Sequence, residues 1–460
     1  MPRVVEGGHD GQSGRLWLRA PLAVFTGTAE DAAGGVVVGD GVVRELVPAG
    51  ARPETPIDEV FDASNHVLIP GLVNTHHHFY QTLTRAVPVA LNKALFPWLK
   101  SLYPIWAGLT PDHVEVSSTL ALTELLLSGC TTAADHHYVF NADLAEALDR
   151  QAAAAAEVGI RILMTRGSMS LGESAGGHPP DRITEDEDRI LSACEAAVAR
   201  HHDSSPGATC RVALAPCSPF SVTETLMARS AELARTLGVR LHTHLAETED
   251  ENTFCERAYG RRPLALLEDV GWLAADVWLA HGIHFTDEEI AKLGAAGTGI
   301  SHCPSSNMVL GSGICRARAL ERAGAPVSLG VDGAASNDAS NLMQEARQAL
   351  LIQRLRYGAD GVTHLDVLRW ATAGGARVLG WPEVGTLAPG ARADAALFRL
   401  DEARFAGAHD PVAALLLCGA HHADRVMVDG QWRVVDGAPV GVDLEALTAR
   451  QTELACRLLA

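Results

Sequence analysis

The middle of the chain alternates between short apolar runs and longer stretches of helical periodicity. Strand-like runs occupy 67–75, 131–137, 161–167, 211–216, 240–245, 277–281, 297–302 and 326–332. Between them apolar residues recur at the spacing of one helix face, so each pair reads as a βα unit. Helix ends are marked chemically. Thr110 supplies an N-cap before Pro111, and Gly129 suits the stop. Thr184 with Glu187, and Thr286 with Glu289, have the spacing of a capping box. The stretch 341–357 reads as a long amphipathic helix closed by Gly358. Eight strands with intervening helices predict an α/β fold, a parallel (β/α)8 TIM barrel over 67–382. An open doubly wound sheet is the alternative. It favours a glycine-rich phosphate loop after its first strand, and none follows this one.

Both ends of the chain lose the helical period. Residues 16–25, 35–38 and 42–47 are β-like runs, with Gly39-Asp40-Gly41 as a hairpin turn. Residues 394–400 and 425–435 look alike, with Asp429-Gly430 as a second turn. These segments predict one small β-sandwich assembled from both termini, 15–66 plus 383–440, and then a C-terminal helix over 441–460. Residues 1–14 lack the apolar core of a signal peptide and are expected to form a loose tail.

Composition narrows the partners. A chain of 460 residues, 47% hydrophobic and 20% charged, is an ordinary folded protein with room for one large domain and a smaller one. Its formal net charge of -19 opposes binding to nucleic-acid phosphates. Nine cysteines without a CxxC pair argue against a disulfide framework and for a reducing cytoplasm. No apolar run has the length to span a membrane.

Polar residues collect at the ends of the predicted strands, where barrels of this kind place their chemistry. The first run ends in His76-His77-His78. Alternation along a strand points His76 and His78 the same way and His77 away. The fifth ends in His242-Thr243-His244 with Glu247 just beyond, the sixth in His281, the eighth in Asp332. Three imidazoles and one carboxylate suit a divalent first-row metal, zinc or iron. His76, His78, His244 and Asp332 are the assigned ligands. His242 shares the parity of His244 but lies deeper, and reads as a core histidine with a satisfied hydrogen bond. His284 is expected at the surface. The pairs His201-His202 and His421-His422 sit in helical or loop context and are set aside. No lysine falls at a barrel strand end to bridge two metals, so one ion is expected.

The segments PGLVNTHHH over 70–78, HTHLAE over 242–247, LAHGIH over 279–284 and LGVDG over 329–333 resemble the amidohydrolase superfamily, in particular its nucleobase and triazine deaminases. The resemblance covers nearly the whole chain, including the split sandwich. It extends through 76–85, 133–138, 216–220 and 305–308 toward bacterial deaminases of oxidised purines. It implies a metal-dependent hydrolytic deaminase of an aminated heterocycle, with 8-oxoguanine giving urate and ammonia as the expected step of purine catabolism. Hydroxytriazine, isocytosine, pterin and guanine are the alternative substrates. Guanine deaminases of the superfamily carry an Arg-Phe pair after the strand-four proline. Cys217-Ser218 stands there instead, which argues against plain guanine. The cytidine-deaminase signature also fails, because Pro216-Cys217 is followed by Phe220 rather than a second cysteine. A metal-binding protein without turnover is the reading from another class, and the complete set of reacting residues opposes it. One zinc ion, with ferrous iron as the other candidate, and a homo-oligomer are further implied.

Three residues are expected to act in the reaction. Glu247 moves a proton from water to a ring nitrogen, His281 holds the attacking oxygen, and Asp332 relays a second proton to ammonia. Gln81, Cys217 and Ser218 are expected to read the edges of the ring. The aromatic segment 96–106, with Trp106, forms either a lid stacked on a flat ring or packing at the barrel mouth. Tyr138 is a candidate of the same kind.

Overall fold

The structure is a computed structural model that describes residues 3–4 and 14–460. The expected loose tail lies almost entirely outside the described residues. Eight parallel strands, Leu72–Asn74, Cys130–Asp135, Arg161–Ser168, Cys210–Pro216, Leu241–Leu245, Val277–His281, Gly299–His302 and Val327–Leu329, form one sheet whose order follows the chain. The sheet closes where the Thr75 N–H donates to the Leu329 carbonyl at 3.1 Å. The Thr75 hydroxyl also meets Ser301 and Ser328 at 2.6 and 2.8 Å. The predicted barrel is therefore present, with helices between successive strands.

The helix signals act mostly as chemistry requires. The Thr110 side chain accepts from the His113 N–H and starts Pro111–Leu127. Thr286 and Glu289 form a reciprocal capping box. Asn341 caps Leu342–Tyr357. Thr184 is the exception. Glu187–His201 is capped by Asp186, whose carboxylate accepts from the Asp188 and Arg189 N–H groups. A carboxylate is as good a cap as a hydroxyl and also complements the positive end of the helix dipole. The Thr184 hydroxyl turns back to the Asp181 carbonyl instead.

The expected first strand, 67–75, is two strands. His66–Pro70 pairs antiparallel with Ala395–Arg399 in a separate sheet, and Leu72–Asn74 pairs with Cys130–Asp135 in the barrel. Gly71 is the crossing point. A Cβ there would stand 2.1 Å from Thr131 Oγ1, so only glycine lets the chain pass so close.

The terminal segments make two sheets. Five strands from the N-terminal region form one of them. Six strands form the other, mixing Ala23–Val24 and His66–Pro70 with four from the C-terminal region. Leu18, Val36 and Phe61 of the first sheet share a core with Leu68, Leu397 and Met427 of the second. This is the sandwich drawn from both ends, with the two ends shared unequally between its layers. Both predicted hairpin turns carry paired positive φ values, Asp40 +52° with Gly41 +73°, and Asp429 +53° with Gly430 +76°. The C-terminal helix is Leu444–Leu459. Among the described residues no helix is long and apolar enough to cross a membrane.

Candidate metal centre and substrate pocket

His76 and His78 leave the end of the first barrel strand, and His244 lies within the fifth. The hydrogen bonds behind these rings fix their tautomers. His78 Nδ1 lies 2.7 Å from the His136 carbonyl, and His244 Nδ1 lies 2.6 Å from the Cys217 carbonyl. A carbonyl only accepts, so both Nδ1 atoms carry the proton. His242 Nδ1 likewise donates to the Trp278 carbonyl at 2.9 Å. Its Nε2 therefore accepts from His76 Nδ1 at 2.8 Å. The Nε2 atoms of all three rings are left as bare lone pairs.

Those lone pairs converge. His78 Nε2 and His244 Nε2 stand 3.2 Å apart. Asp332 Oδ1 lies 3.3 Å from His76 Nε2 and 3.2 Å from His78 Nε2. Buried acceptors at that spacing repel one another unless a cation lies among them. Ligands bonded to zinc at ~2.0–2.1 Å in a tetrahedron stand about 3.3 Å apart. The four groups thus fit a divalent metal ion. Burial depresses His76 well below the usual imidazole value and His244 to about 3, which keeps both neutral as ligation requires, whereas at His78 the adjoining Asp332 carboxylate outweighs burial and raises the imidazole. Burial alone would raise Asp332, but the imidazoles of His76 and His78 outweigh it and hold the carboxylate well below its ordinary value.

Beside this nest sits Glu247. Its Oε2 is 3.5 Å from His281 Nε2, and His281 Nε2 is 3.9 Å from Asp332 Oδ2. Burial first, and the nearby Asp332 second, push the Glu247 carboxyl well above its ordinary value. A carboxylate so placed is a stronger base than an exposed one, suited to taking a proton and handing it on. His281 is fixed through Nδ1 by the side-chain amide of Asn307 at 3.0 Å. Backbone strain gathers here: Ala246, His281 and Asp332 have φ of +53°, +70° and +63°. Glu251 stabilises the first of these turns, its two oxygens accepting from the Ala246 and Glu247 N–H groups at 3.0 and 2.9 Å.

These groups open into a cavity at the barrel mouth. Gln81, Tyr138 and Cys217 line it, and the helix Leu95–Trp106 covers it with Leu95, Trp98, Leu99 and Tyr103. Its walls are mostly apolar.

Residues 67–433 match the amidohydrolase family. The chain belongs to that family. It is 60% identical to 8-oxoguanine deaminase of Pseudomonas aeruginosa, over 97% of this chain and 99% of that one. It is 36% identical to isoxanthopterin deaminase from an unknown prokaryotic organism, over 98% of each. Among solved structures it superposes with TM-score 0.90 on atrazine chlorohydrolase from Arthrobacter aurescens complexed with zinc, at 31% identity, covering 96% of this chain and 100% of the other.

In this amidohydrolase the fold brings His76, His78, His244, Glu247, His281 and Asp332 together, and Gln81, Tyr138 and Cys217 face the cavity with them. Two expected substrate contacts do not. Ser218 is not on the cavity wall, and its hydroxyl meets Ser221 at 2.7 Å. Trp106 lies one turn beyond the cavity-facing positions of its helix, packed on Tyr80 and Trp98, with its indole N–H given to Thr84. The aromatic segment thus both covers the cavity and packs the barrel mouth. His242 has its satisfied hydrogen bond, and half-buried His284 pairs with Glu249. Sequence reasoning missed Phe220, Leu310 and Ser336 on the cavity wall, and the holding roles of Asn307 and Glu251. Thr248 and Glu251 have capping-box spacing, a signal that was available. The carboxylate, however, bonds the two residues before Thr248 rather than Thr248 itself. His136 also belongs to the imidazole group, its ring stacked 4.7 Å from that of His244.

Proposed function

We propose that this amidohydrolase deaminates 8-oxoguanine by hydrolysis, giving urate and ammonia. The observation that carries the reaction type is the buried Glu247 carboxyl 3.5 Å from His281, beside a nest of bare lone pairs. The substrate is supported by the 60% identity to the Pseudomonas aeruginosa 8-oxoguanine deaminase, against 36% for the isoxanthopterin enzyme.

His76, His78, His244 and Asp332 would hold one ion. Zinc is favoured by the nitrogen-rich set and by the zinc in the Arthrobacter aurescens structure, and ferrous iron accepts the same ligands. The chemistry such an ion supplies when bound is hydroxide at neutral pH, by lowering the pKa of water toward ~7. Glu247 takes the proton from the water and passes it to the ring nitrogen next to the amine-bearing carbon, which makes that carbon electrophilic. His281, fixed by Asn307, holds the attacking oxygen. Asp332 relays the second proton to the departing ammonia. Gln81, Cys217 and Tyr138 hold the ring in place. The nine cysteines are all free thiols, which supports a reducing cytoplasm. A homo-oligomer remains part of this reading.

The test is ammonia release by the purified metal-loaded enzyme from 8-oxoguanine, isoxanthopterin, guanine, isocytosine and hydroxytriazine. The highest kcat/KM is expected for 8-oxoguanine, with urate formed in equal amount. A higher value for another heterocycle moves the substrate, and no ammonia from any of them ends the deaminase reading.

A further inference from the structure

Among the residues lining the catalytic cavity, three carry a buried side-chain oxygen without a hydrogen-bond partner: Glu247 Oε1, Gln81 Oε1 and Tyr103 Oη. A native structure leaves few such groups, and at a binding site the missing partner is the ligand. Glu247 and Gln81 already have parts in the reading above. Tyr103 does not. It is 1% exposed and comes from the covering helix Leu95–Trp106, not from the barrel strands that carry the reacting groups. Burial raises its phenol well above the usual value, so it keeps its proton and remains a donor.

The identity of its partner follows from the shape of the substrate, and so rests on the proposed 8-oxoguanine reading. The amine-bearing carbon and its ring nitrogens must sit beside Glu247, His281 and Asp332. The six-membered ring then occupies that end, and the five-membered ring with its carbonyl projects toward the covering helix. The other cavity-lining residues of that helix have no free donor. Leu95 and Leu99 are apolar, and Trp98 spends its indole N–H on the Ala335 carbonyl at 3.2 Å. The other donors of the wall, the Gln81 amide and the Tyr138 phenol, sit at the reacting end, Gln81 against Gly333 next to Asp332 and Tyr138 with its ring 5.0 Å from that of His78. The Cys217 thiol is only a weak donor. We propose that Tyr103 is a specificity-determining residue, whose phenol donates a hydrogen bond to the carbonyl oxygen on the five-membered ring and so selects 8-oxopurines over purines that carry only hydrogen there.

The test compares wild type with Tyr103→Phe on one pair of ligands, urate and xanthine, and on 8-oxoguanine as substrate. Urate and xanthine differ in the carbonyl that Tyr103 is said to read, together with the ring N–H and the acidity that come with it, so the change caused by Tyr103→Phe is what reports the hydrogen bond. Wild type should bind urate about 10–100-fold tighter than xanthine by titration calorimetry, the range expected for losing a donor to a buried carbonyl. In Tyr103→Phe that preference should collapse, with kcat/KM for 8-oxoguanine falling by a similar factor and xanthine binding unchanged. Metal content should stay the same. The melting temperature should not fall, since the hydroxyl removed has no partner in the free protein. Equal weakening of urate and xanthine, no weakening of either, or a wild type that does not distinguish them would each overturn the role of Tyr103. Failure of wild type to release ammonia from 8-oxoguanine would instead overturn the substrate reading, and is seen separately.

Discussion

Glu247 is the residue at which burial and a neighbouring charge act together to raise the basicity of a carboxylate, and the proposed reaction uses it to carry a proton. Glu247→Gln keeps the shape but removes the proton carrier. Turnover should fall by about 10²–10⁴-fold with metal content and melting temperature unchanged; near-normal turnover would assign the proton to another group. His242 acts through another residue. Its lone pair accepts from His76 Nδ1 and leaves His76 Nε2 free to ligate. His242→Ala should weaken metal affinity about 10–100-fold in a chelator competition, the usual cost of losing an outer partner of a ligating histidine. Unchanged affinity would make the contact mere packing. At this scale much was legible. Strand alternation gave the shared direction of His76 and His78, and the depth of His242 in its strand marked it as a core histidine. The inward side of Cys217 over Ser218, and the burial of Trp106, depend on how far each element is rotated and extended against its neighbours. Local patterns do not carry that.

Elements connect the site to the scaffold through single polar residues. Leu342–Tyr357 does so with Glu345, which accepts from the Ser305 N–H at 2.8 Å, the Ser305 hydroxyl at 2.6 Å and the Asn337 amide at 3.0 Å. It thereby ties the helix to the segments that follow the last two barrel strands. Burial raises the Glu345 carboxyl to about 8 from 4.5. The folded protein therefore holds a proton between those values that the unfolded chain has lost. The contribution to stability is fully present below pH ~4.5 and declines as pH rises through about 8. Glu345→Gln cannot titrate, so its melting temperature should change less across that window than that of wild type; an unaltered pH profile would remove Glu345 as the source. The periodicity of this helix was plain in the sequence, and so was its Asn341 cap. The Thr184 cap was misjudged, because two candidate caps stood two residues apart and the competition was settled by where the helix began.

The whole molecule is held together across its two parts by a buried ion cluster. Arg161, at the start of the third barrel strand, is fully buried and reaches Asp394 at 2.9 Å and Asp429, both from the C-terminal half of the sandwich. Arg161→Met leaves the buried Asp394 without its cation, while Asp429 keeps Arg392. It should cost about 3–5 kcal/mol of unfolding free energy in a denaturant titration, since removing one member of a buried pair strands the other. A loss under about 1 kcal/mol would mean that water or Arg392 replaces it. The order of barrel strands, the two hairpin turns and the chemistry at the strand ends were determined by the sequence alone, because periodicity, turn residues and ligand types are local properties of the chain. Only the tertiary structure decided the rest: that the first strand divides at Gly71 between two sheets, that bare lone pairs from the first, fifth and eighth strands meet within one ligand spacing, and that Tyr103 is left without a partner. Those outcomes depend on the closure of the barrel and the packing of a helix over its mouth, which bring together residues far apart in the chain at distances that no local pattern records.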